Sequence, residues 1–178
     1  MPRTTDAREK AIATAERLFR IQGYAATGLT QIIEESGSPK GSFYFHFPGG
    51  KRELALAAIA VYRAETSAGF RALAARAPGD PARFVRGLAG AVAREMAISD
   101  WTMGCVAQVL AQELAPSDAE AADALAGLFD EWTAIIAEAL ADGRDRALAL
   151  VAALEGARTL ARASRSPAPF DAVAAAFA

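Results

Sequence analysis

The sequence has few of the residues that most catalytic and metal sites require. Among its 178 residues there is one cysteine, Cys105, and one histidine, His46. One cysteine cannot form an internal disulfide, which fits a reducing compartment, and together the two residues cannot assemble a zinc site of ordinary ligand type. The Gly-Gly-Lys at 49–51 lacks the partners of a phosphate loop, because Phe45 and Arg52 stand where that motif needs glycine and Ser or Thr. We therefore expect no metal, no cofactor and no enzymatic activity.

Long apolar runs are also missing. Arg, Glu or Asp interrupts every stretch that approaches the roughly eighteen residues of a membrane span, and the N-terminus, MPRTTDAREK, is charged where a secretory signal would be apolar. Apolar residues nevertheless make up 53% of the chain and charged residues 22%, which is typical of globular proteins. We predict a soluble, cytoplasmic protein of one domain or two small, closely packed ones.

Positive charge is concentrated at the N-terminal end. Residues 1–52 contain eight basic and five acidic residues, a net charge of +3, and all three lysines. Residues 53–178 contain eleven basic and sixteen acidic residues, a net charge of −5. This asymmetry suggests an N-terminal unit that meets an anion and an acidic body that does not, although chance would also explain a difference of this size.

Apolar residues recur at helical spacing throughout, and no stretch alternates in the manner of a strand. The fold class predicted is therefore all-α. Helices are expected at residues 5–22, 28–36, 39–46, 51–77, 81–98, 102–114, 117–141 and 143–164, followed by a short apolar segment.

The stretch GSPKGSFYFHFPGGK, residues 37–51, lies where two short helices meet a glycine-bearing turn. Two such helices, braced by a preceding helix, outline a helix-turn-helix, whose second helix enters the major groove of DNA. Gly37 can take the positive φ of a sharp reversal. Phe43 and Phe47 share one face and should anchor the helix to Phe19, Ile32 and Ile33. The side chains predicted to donate hydrogen bonds to phosphates or base edges are Lys40, Ser42, Tyr44 and His46.

Each of these residues also has a plainer interpretation. His46 alone would be a surface or capped histidine, and Tyr44 alone would be half-buried packing. Lys40 and Lys51 would be solvated lysines, and Thr27 would be an N-cap, whose hydroxyl can serve either role.

From about residue 8 to residue 54, with TAERLFRIQGYAATGLTQIIEESGSPKGSFYFHFPGGKREL, the sequence strongly resembles the DNA-binding region of the TetR family of bacterial transcriptional repressors. The features that carry the resemblance are Ala15, Leu18, Phe19, Gly23-Tyr24, Thr27 to Ile32, Gly37, KGSFYFHF and the lysine before Glu-Leu. The PKGSxYxHFPGGK form and Gly104-Cys105 are most similar to the branch with LmrA-type and QacR-like multidrug-responsive regulators.

The resemblance implies a homodimer that binds a near-palindromic operator and is released by a small, mostly apolar inducer. A helix-turn-helix DNA-binding domain would span residues 1–50, and a helical ligand-binding and dimerisation domain would span residues 51–178. Two features depart from the family pattern: Ser38 replaces a small aliphatic residue, and FPGGK is one residue longer than the usual spacing. By position, the family's DNA contacts fall on Thr27, Thr30, Pro39, Lys40, Gly41, Ser42, Tyr44, Phe45, His46 and Lys51.

The C-terminal half carries broad apolar stripes on residues 117–141 and 143–164. Such stripes fit a four-helix interface between two protomers, and a monomeric core would explain them equally well. The predicted dimer residues are Leu125, Phe129, Trp132, Ile136, Leu148, Val151 and Leu160. An inducer cavity, for which core filling is the alternative interpretation, is predicted at Tyr62, Phe70, Phe84, Trp101, Met103, Cys105 and Gln108.

Two functions of different class follow from these observations. The first is a dimeric, ligand-responsive repressor. The alternative is a helical small-molecule-binding protein or enzyme that retains the helix-turn-helix only as a scaffold. The grouping of Lys40, Tyr44, His46 and Lys51 favours the repressor, because a scaffold has no need of these four together.

Overall fold

A computed structural model describes residues 4–178, with side chains from Asp6 onward, and within that range it contains helices and no strands. The predicted all-α class is confirmed. The helices are α1 (Thr4–Gln22), α2 (Leu29–Ser36), α3 (Lys40–His46), α4 (Gly50–Ala75), α5 (Pro81–Ile98), α6 (Val106–Glu113), α7 (Ala119–Leu140), α8 (Arg144–Ser164) and α9 (Ala168–Phe177), with one 3-10 turn at Ala115–Ser117 between α6 and α7.

The chain forms two compact units, and neither is continuous in sequence. The first contains the residues up to Tyr62 together with Val106–Leu125, and the second contains Arg63–Cys105 and Ala126–Ala178. The boundaries between them fall within α4, at the start of α6 and within α7. The functional domain boundary at residue 50 stays a prediction, since compactness alone does not establish which residues act together.

In the first unit, α1 packs against α2, α3 and α6. Phe19 and Ile32 are completely enclosed, and the rings of Phe43 and Phe47 lie 5.4 Å apart between their centroids, both buried. The predicted burial of the inner side of α3 is confirmed. Because this side is held in the core, the opposite side of the short helix must face outward.

Glycines end the first two helices at positions where the backbone requires them. Gly23 follows α1 with φ +91°, and Gly37 ends α2 with φ +64° while its N–H bonds to the carbonyl of Glu34. Both φ values lie in the left-handed region, where a side chain is strained and glycine is not. The helix ends expected at these glycines are confirmed.

The second unit is built mainly by α5, α8 and α9, which pack on one another. Asp80 caps α5 by accepting a hydrogen bond from the N–H of Arg83 at 2.9 Å, and Pro81 occupies the first turn. The short apolar segment predicted at the C-terminus is α9, whose Phe170 is buried.

One predicted helix begins later than expected. Residues 102–105 belong to the loop before α6, because Asp100 and Trp101 take positive φ values of 51° and 64°, which cannot continue a right-handed helix. Within the second unit, Arg165, the residue after α8, forms an ion pair with Asp100 at 2.5 Å, and Arg162 of α8 donates to the carbonyl of Thr102. Contacts that are distant in sequence therefore stabilise this loop.

The two C-terminal stripes serve mostly as core. Leu125, Trp132, Ile136 and Val151 are buried within the single chain, so their prediction as dimer residues is wrong: neighbouring helices of the same chain already cover them. Phe129 is partly covered and stacks edge-on against Trp132. Of the seven predicted residues, Leu148 and Leu160 remain exposed, at 52% and 61%.

Candidate nucleic-acid interface

The outer side of α3 combines cationic, hydroxyl and aromatic groups. Lys40 and Gly41 are exposed and Ser42 is partly exposed, while Tyr44 is 50% and Phe45 77% exposed. Within residues 4–178, no hydrogen bond or ion pair is described for the side chains of Lys40, Ser42 or Tyr44. Donors left without internal partners are available to a phosphate or a base edge, and an exposed phenyl ring can contact a thymine methyl.

The backbone at the start of α3 is equally open. Pro39 is exposed and precedes the first residue of the helix. A Cβ added to Gly41 would meet nothing within 4 Å, so the main chain at Gly41 lies at the surface. A glycine at this position lets another molecule approach the backbone closely.

The two threonines predicted at the start of α2 lie in different environments. Thr30 is exposed. Thr27 has no exposed surface, and its hydroxyl donates to the carbonyl of Gly23 at 2.6 Å. The prediction of a DNA contact for the Thr27 side chain is therefore wrong, because the hydroxyl is enclosed and closes the turn between α1 and α2.

Lys51 also makes contacts inside the protein. Its Nζ donates to the carbonyls of Tyr24 and Thr27, each at 3.0 Å, and lies 4.2 Å from the centroid of the Tyr24 ring. Burial lowers the pKa of Lys51, and the negative charge of Glu113 acts in the opposite direction. An ammonium group has three N–H donors, so one remains for the predicted phosphate contact.

His46 is half buried at the end of α3. Its Nε2 is enclosed and has no hydrogen-bond partner among the described residues. Any bond from this ring to a phosphate would therefore use Nδ1. The imidazole packs edge-on against Phe45, with 5.2 Å between the ring centroids.

Ser38, which departs from the family pattern, is buried. Its hydroxyl donates to the carbonyl of Ala7 on α1 at 3.3 Å, and its N–H donates to the hydroxyl of Ser36 at 3.3 Å. A buried hydroxyl is tolerated when it is hydrogen-bonded. The serine is accommodated because it ties the turn between α2 and α3 to α1.

Sequence reasoning missed an acidic group that comes from much later in the chain. The carboxylate of Glu113 accepts a hydrogen bond from the N–H of Ala25 at 2.7 Å. Asp118 and Glu120 bind Arg52 at the start of α4 at 2.5 and 2.7 Å, and the bond from Arg52 lowers the pKa of Asp118. These partners are 66 to 88 residues apart, and no local sequence signal connects them.

The predicted ligand residues divide between the units. Tyr62 and Gln108 belong to the first unit, and the other five belong to the second. Tyr62 is buried with its ring 5.8 Å from the guanidinium carbon of Arg20, and Phe70 packs against Trp132. The buried members are Tyr62, Phe84 and Cys105, and the partly exposed ones are Phe70, Trp101, Met103 and Gln108.

The second unit also contains an open groove of about 510 Å³ beside α4 and α7, bordered by the turn at residues 77–79. Arg71, Ile135 and Glu138 are among its lining residues, and none of the seven predicted ligand residues lines it. The inducer site stays a prediction.

Two other kinds of site are not found in the part of the chain that the structure describes. No helix among residues 4–178 is both long enough and apolar enough to cross a membrane. No group of three or more His, Cys, Asp or Glu side chains in the same range is arranged to hold a metal ion.

Two short helices, α2 and α3, packed on the longer α1, with a buried inner side and a donor-bearing outer side on α3, define a helix-turn-helix protein. Residues 11–58 match the family model for bacterial regulatory proteins of the tetR family, and residues 81–176 match the transcriptional regulator LmrA/YxaF-like C-terminal domain. The chain belongs to the TetR family of transcriptional regulators, with a C-terminal domain of the LmrA/YxaF-like type. The resemblance seen in the sequence is confirmed.

Relatives divide into strong matches over a short segment and weaker matches over nearly the whole chain. The HTH-type transcriptional regulator LmrA of Bacillus subtilis is 63% identical over 54 residues, which are 30% of this chain and 29% of LmrA. An uncharacterized HTH-type transcriptional regulator of Mycobacterium tuberculosis is 33% identical over 182 aligned positions, covering 93% of this chain and 89% of its own.

Solved structures show the same fold. The regulatory protein TetR from Rhodobacter sphaeroides superposes with a TM-score of 0.83 at 24% identity, covering 96% of both chains. The reduced form of NemR from Escherichia coli superposes with a TM-score of 0.81 at 21% identity, covering 96% of this chain and 95% of its own.

Proposed function

We propose that this regulator is a ligand-responsive repressor that binds a near-palindromic operator as a dimer in the cytoplasm and is released by a small, mostly apolar molecule. The DNA-binding part of this proposal rests on a single observation, the outward face of α3. There, the side chains of Lys40, Ser42 and Tyr44 have no described hydrogen bond or ion pair within residues 4–178, and Phe43 on the opposite face is buried. Polar groups held outward in this way match a partner rich in acceptors.

The proposed DNA surface consists of residues from α2, α3 and the start of α4. Lys40 and Ser42 contact phosphates, and Tyr44 and Phe45 reach base edges in the major groove. His46 acts through Nδ1, and Lys51 acts through its third N–H. With Thr27 removed, the proposed contacts are Thr30, Pro39, Lys40, Gly41, Ser42, Tyr44, Phe45, His46 and Lys51.

The proposed dimer forms through the exposed face of α8. Leu148, Ala152, Gly156 and Leu160 follow one another at intervals of four residues, and all four are exposed. Residues four apart share one face of a helix, and small residues between two leucines allow a second helix to approach closely. A two-fold pair can present two α3 helices to major grooves one helical turn, about 34–36 Å, apart.

The proposed ligand response rests on the LmrA/YxaF-like match of residues 81–176 and on the largely apolar residues predicted around the ligand. A ligand that binds the DNA-incompatible state more tightly must release the operator, and by linkage the operator must weaken ligand binding by the same factor.

The function is tested by selecting bound fragments from random DNA with the full chain. We expect enrichment of a near-palindrome whose half-sites are centred 10 to 10.5 base pairs apart, or a multiple of that spacing. Affinity for the selected duplex should fall steeply with salt, with about six to ten phosphate contacts per dimer. No enrichment, or equal affinity for selected and random duplexes, would show that the helix-turn-helix is only a scaffold.

A further inference from the structure

The turn between α1 and α2, residues 23–28, is held by two side chains of opposite charge. Lys51 donates through Nζ to the carbonyls of Tyr24 and Thr27, and Glu113 accepts through Oε2 from the N–H of Ala25 at 2.7 Å. A cation therefore binds the acceptors of this turn, and an anion binds one of its donors. We refer to Lys51 and Glu113 as the turn clamp.

Gly23 shows how closely the turn clamp approaches the main chain. A Cβ placed on Gly23 would lie 2.7 Å from Oε1 of Glu113, and the residue has φ +91°. Thr27 closes the same turn from inside, through its hydroxyl to the carbonyl of Gly23 at 2.6 Å and its N–H to the carbonyl of Tyr24 at 3.1 Å. The backbone path between the two helices is thus fixed by several hydrogen bonds, and charged groups make three of them.

The carboxylate of the turn clamp comes from the last residue of α6, 88 positions after Ala25. α6 packs on α1 within the first unit, and α2 begins at Leu29, immediately after the turn. Hydrogen bonds to a charged group are about twice as strong as neutral ones. A shift of the turn would change the direction in which α2 and α3 leave α1.

We propose that Glu113 is a positioning residue for DNA recognition: with Lys51, its carboxylate fixes the α1–α2 turn and thereby holds α2 and α3 in the orientation that reads DNA. The inference rests on the proposed DNA-binding function and extends it to a residue outside the helix-turn-helix. It also gives Lys51 a role inside the protein in addition to its proposed phosphate contact.

Because Glu113 is negatively charged, the direction in which DNA affinity changes when its carboxylate is removed tests the inference. Removing a carboxylate near a DNA-binding surface should strengthen binding to a polyanion if electrostatics alone acts. A positioning role predicts the opposite for the specific site: weaker binding to the selected operator and no weakening on random DNA.

The experiment compares the full-length wild type with Glu113→Ala and Glu113→Gln. Both variants remove the same charge, but glutamine keeps an oxygen that can accept from Ala25. We expect operator affinity to fall about tenfold for a dimer carrying two Glu113→Ala substitutions and less for Glu113→Gln. Asp123→Asn is the charge-matched control, since Asp123 is exposed on α7 and has no described hydrogen bond or ion pair within residues 4–178. It should bind operator as the wild type does, or slightly more tightly.

A second measurement follows the turn directly through hydrogen exchange of the Ala25 amide. This amide should exchange faster in Glu113→Ala than in the wild type and at an intermediate rate in Glu113→Gln, while Asp123→Asn leaves it unchanged. Amides of the buried core, such as that of Phe19, should keep their wild-type rates, and this comparison separates a lost hydrogen bond from a general loss of folding.

Two outcomes would overturn the inference, and they differ in what else fails. If the wild type distinguishes operator from random DNA but Glu113→Ala binds the operator as Asp123→Asn does, the positioning role is wrong and the proposed function stands. If the wild type itself does not distinguish the two DNAs, the proposed function is wrong and the positioning role falls with it.

Discussion

Polar side chains are exposed in one region of the molecule and enclosed in another. On the outer side of α3, Lys40 and Tyr44 are exposed, and no hydrogen bond or ion pair is described for their side chains within residues 4–178. The second unit instead encloses polar groups: Arg158 is buried, with its Nε 3.4 Å from Oε1 of Glu155 and its Nη1 3.6 Å from Oε2 of Glu95. Burying a charge is costly unless an opposite charge or hydrogen bonds accompany it. Only the enclosed groups therefore need their partners within the chain.

The enclosed cluster also contains the single cysteine. Burial raises the pKa of Glu155, while the positive charge of Arg158 and a hydrogen bond from the Cys105 thiol act in the opposite direction, and the charge of Glu95 adds to the rise. Cys105 itself is completely buried. Substitutions in the cluster should therefore change stability, whereas substitutions on the outer side of α3 should change binding.

The largest expected effect is the loss of the buried guanidinium. Arg158→Met should lower the free energy of unfolding by about 3–5 kcal/mol, because Glu155, whose side chain is only 15% exposed, then loses its counter-charge. Chemical denaturation at neutral pH measures this loss. The loss should be smaller at acid pH, where Glu155 takes up a proton and needs no partner.

Arg144→Met is the matched control for that prediction. Arg144 pairs with Asp130 at 2.6 Å, but both side chains are exposed, and exposed pairs are worth about 0–1 kcal/mol. Equal losses for the two variants would show that the contrast between enclosed and exposed polar groups is not real.

A substitution on the outer side of α3 should have a smaller effect, and it should change DNA binding but not stability. Lys40→Ala should weaken operator binding by about 1 kcal/mol per protomer by removing a phosphate contact. It should also make the salt slope, the slope of log affinity against log salt concentration, shallower by about one per protomer. The free energy of unfolding should change by less than about 0.5 kcal/mol, because an exposed side chain without an internal partner is lost. Binding titrations across salt, together with denaturation, measure both quantities.

Arg76→Ala removes the same charge from an exposed position in the second unit. It should leave the salt slope as it is in the wild type. A slope that changed equally in Lys40→Ala and Arg76→Ala would mean that net charge, and not the face of α3, governs the interaction with DNA.

The smallest expected effect is on the pH dependence of stability. The folded pKa of Glu155 lies above its ordinary value of 4.5, so the folded protein holds this proton to a higher pH than the unfolded chain. The stability linked to this proton is complete below about pH 4.5 and is lost as pH rises through the folded pKa. Glu155→Gln cannot titrate, and the free energy of unfolding of this variant should therefore fall less than that of the wild type as pH rises through this window.

Denaturation midpoints measured from pH 4 to 8 check this prediction, and the exposed Glu65 on α4 supplies the control Glu65→Gln. The Glu65 variant should follow the wild-type curve. A Glu155→Gln curve parallel to that of the wild type would contradict the raised pKa and weaken the distinction between the two regions.

Helix boundaries were largely predictable, because apolar spacing and glycine act locally. The ends of α1 and α2 at Gly23 and Gly37, and the burial of Phe43 and Phe47, are as predicted. The start of α6 was not predictable, because Asp100 and Trp101 adopt left-handed conformations that most residues avoid.

The exposure of the candidate site residues was predictable where it follows from helical spacing, and their contacts with DNA stay a prediction. Tyr44 and Phe45 lie outward as the spacing of α3 requires. Thr27 was misassigned, because a threonine at the start of a helix can bond either outward or inward, and here its hydroxyl bonds to Gly23. The same ambiguity applied to the apolar stripes of α7 and α8, where Trp132 and Val151 pack inside the chain.

The amino-acid sequence by itself determined that the chain is helical, that a helix-turn-helix lies near its N-terminus and that the outward side of α3 is polar and aromatic, because periodicity, glycine and charge act over a few residues. Only the tertiary structure decided that Glu113 binds the α1–α2 turn, that Lys51 turns inward, and that Glu155, Arg158 and Cys105 form a buried cluster. Except for Glu155 and Arg158, which are three residues apart on α8, these pairings join residues far apart in the chain. Whether such groups meet depends on how the helices pack, which no local pattern specifies.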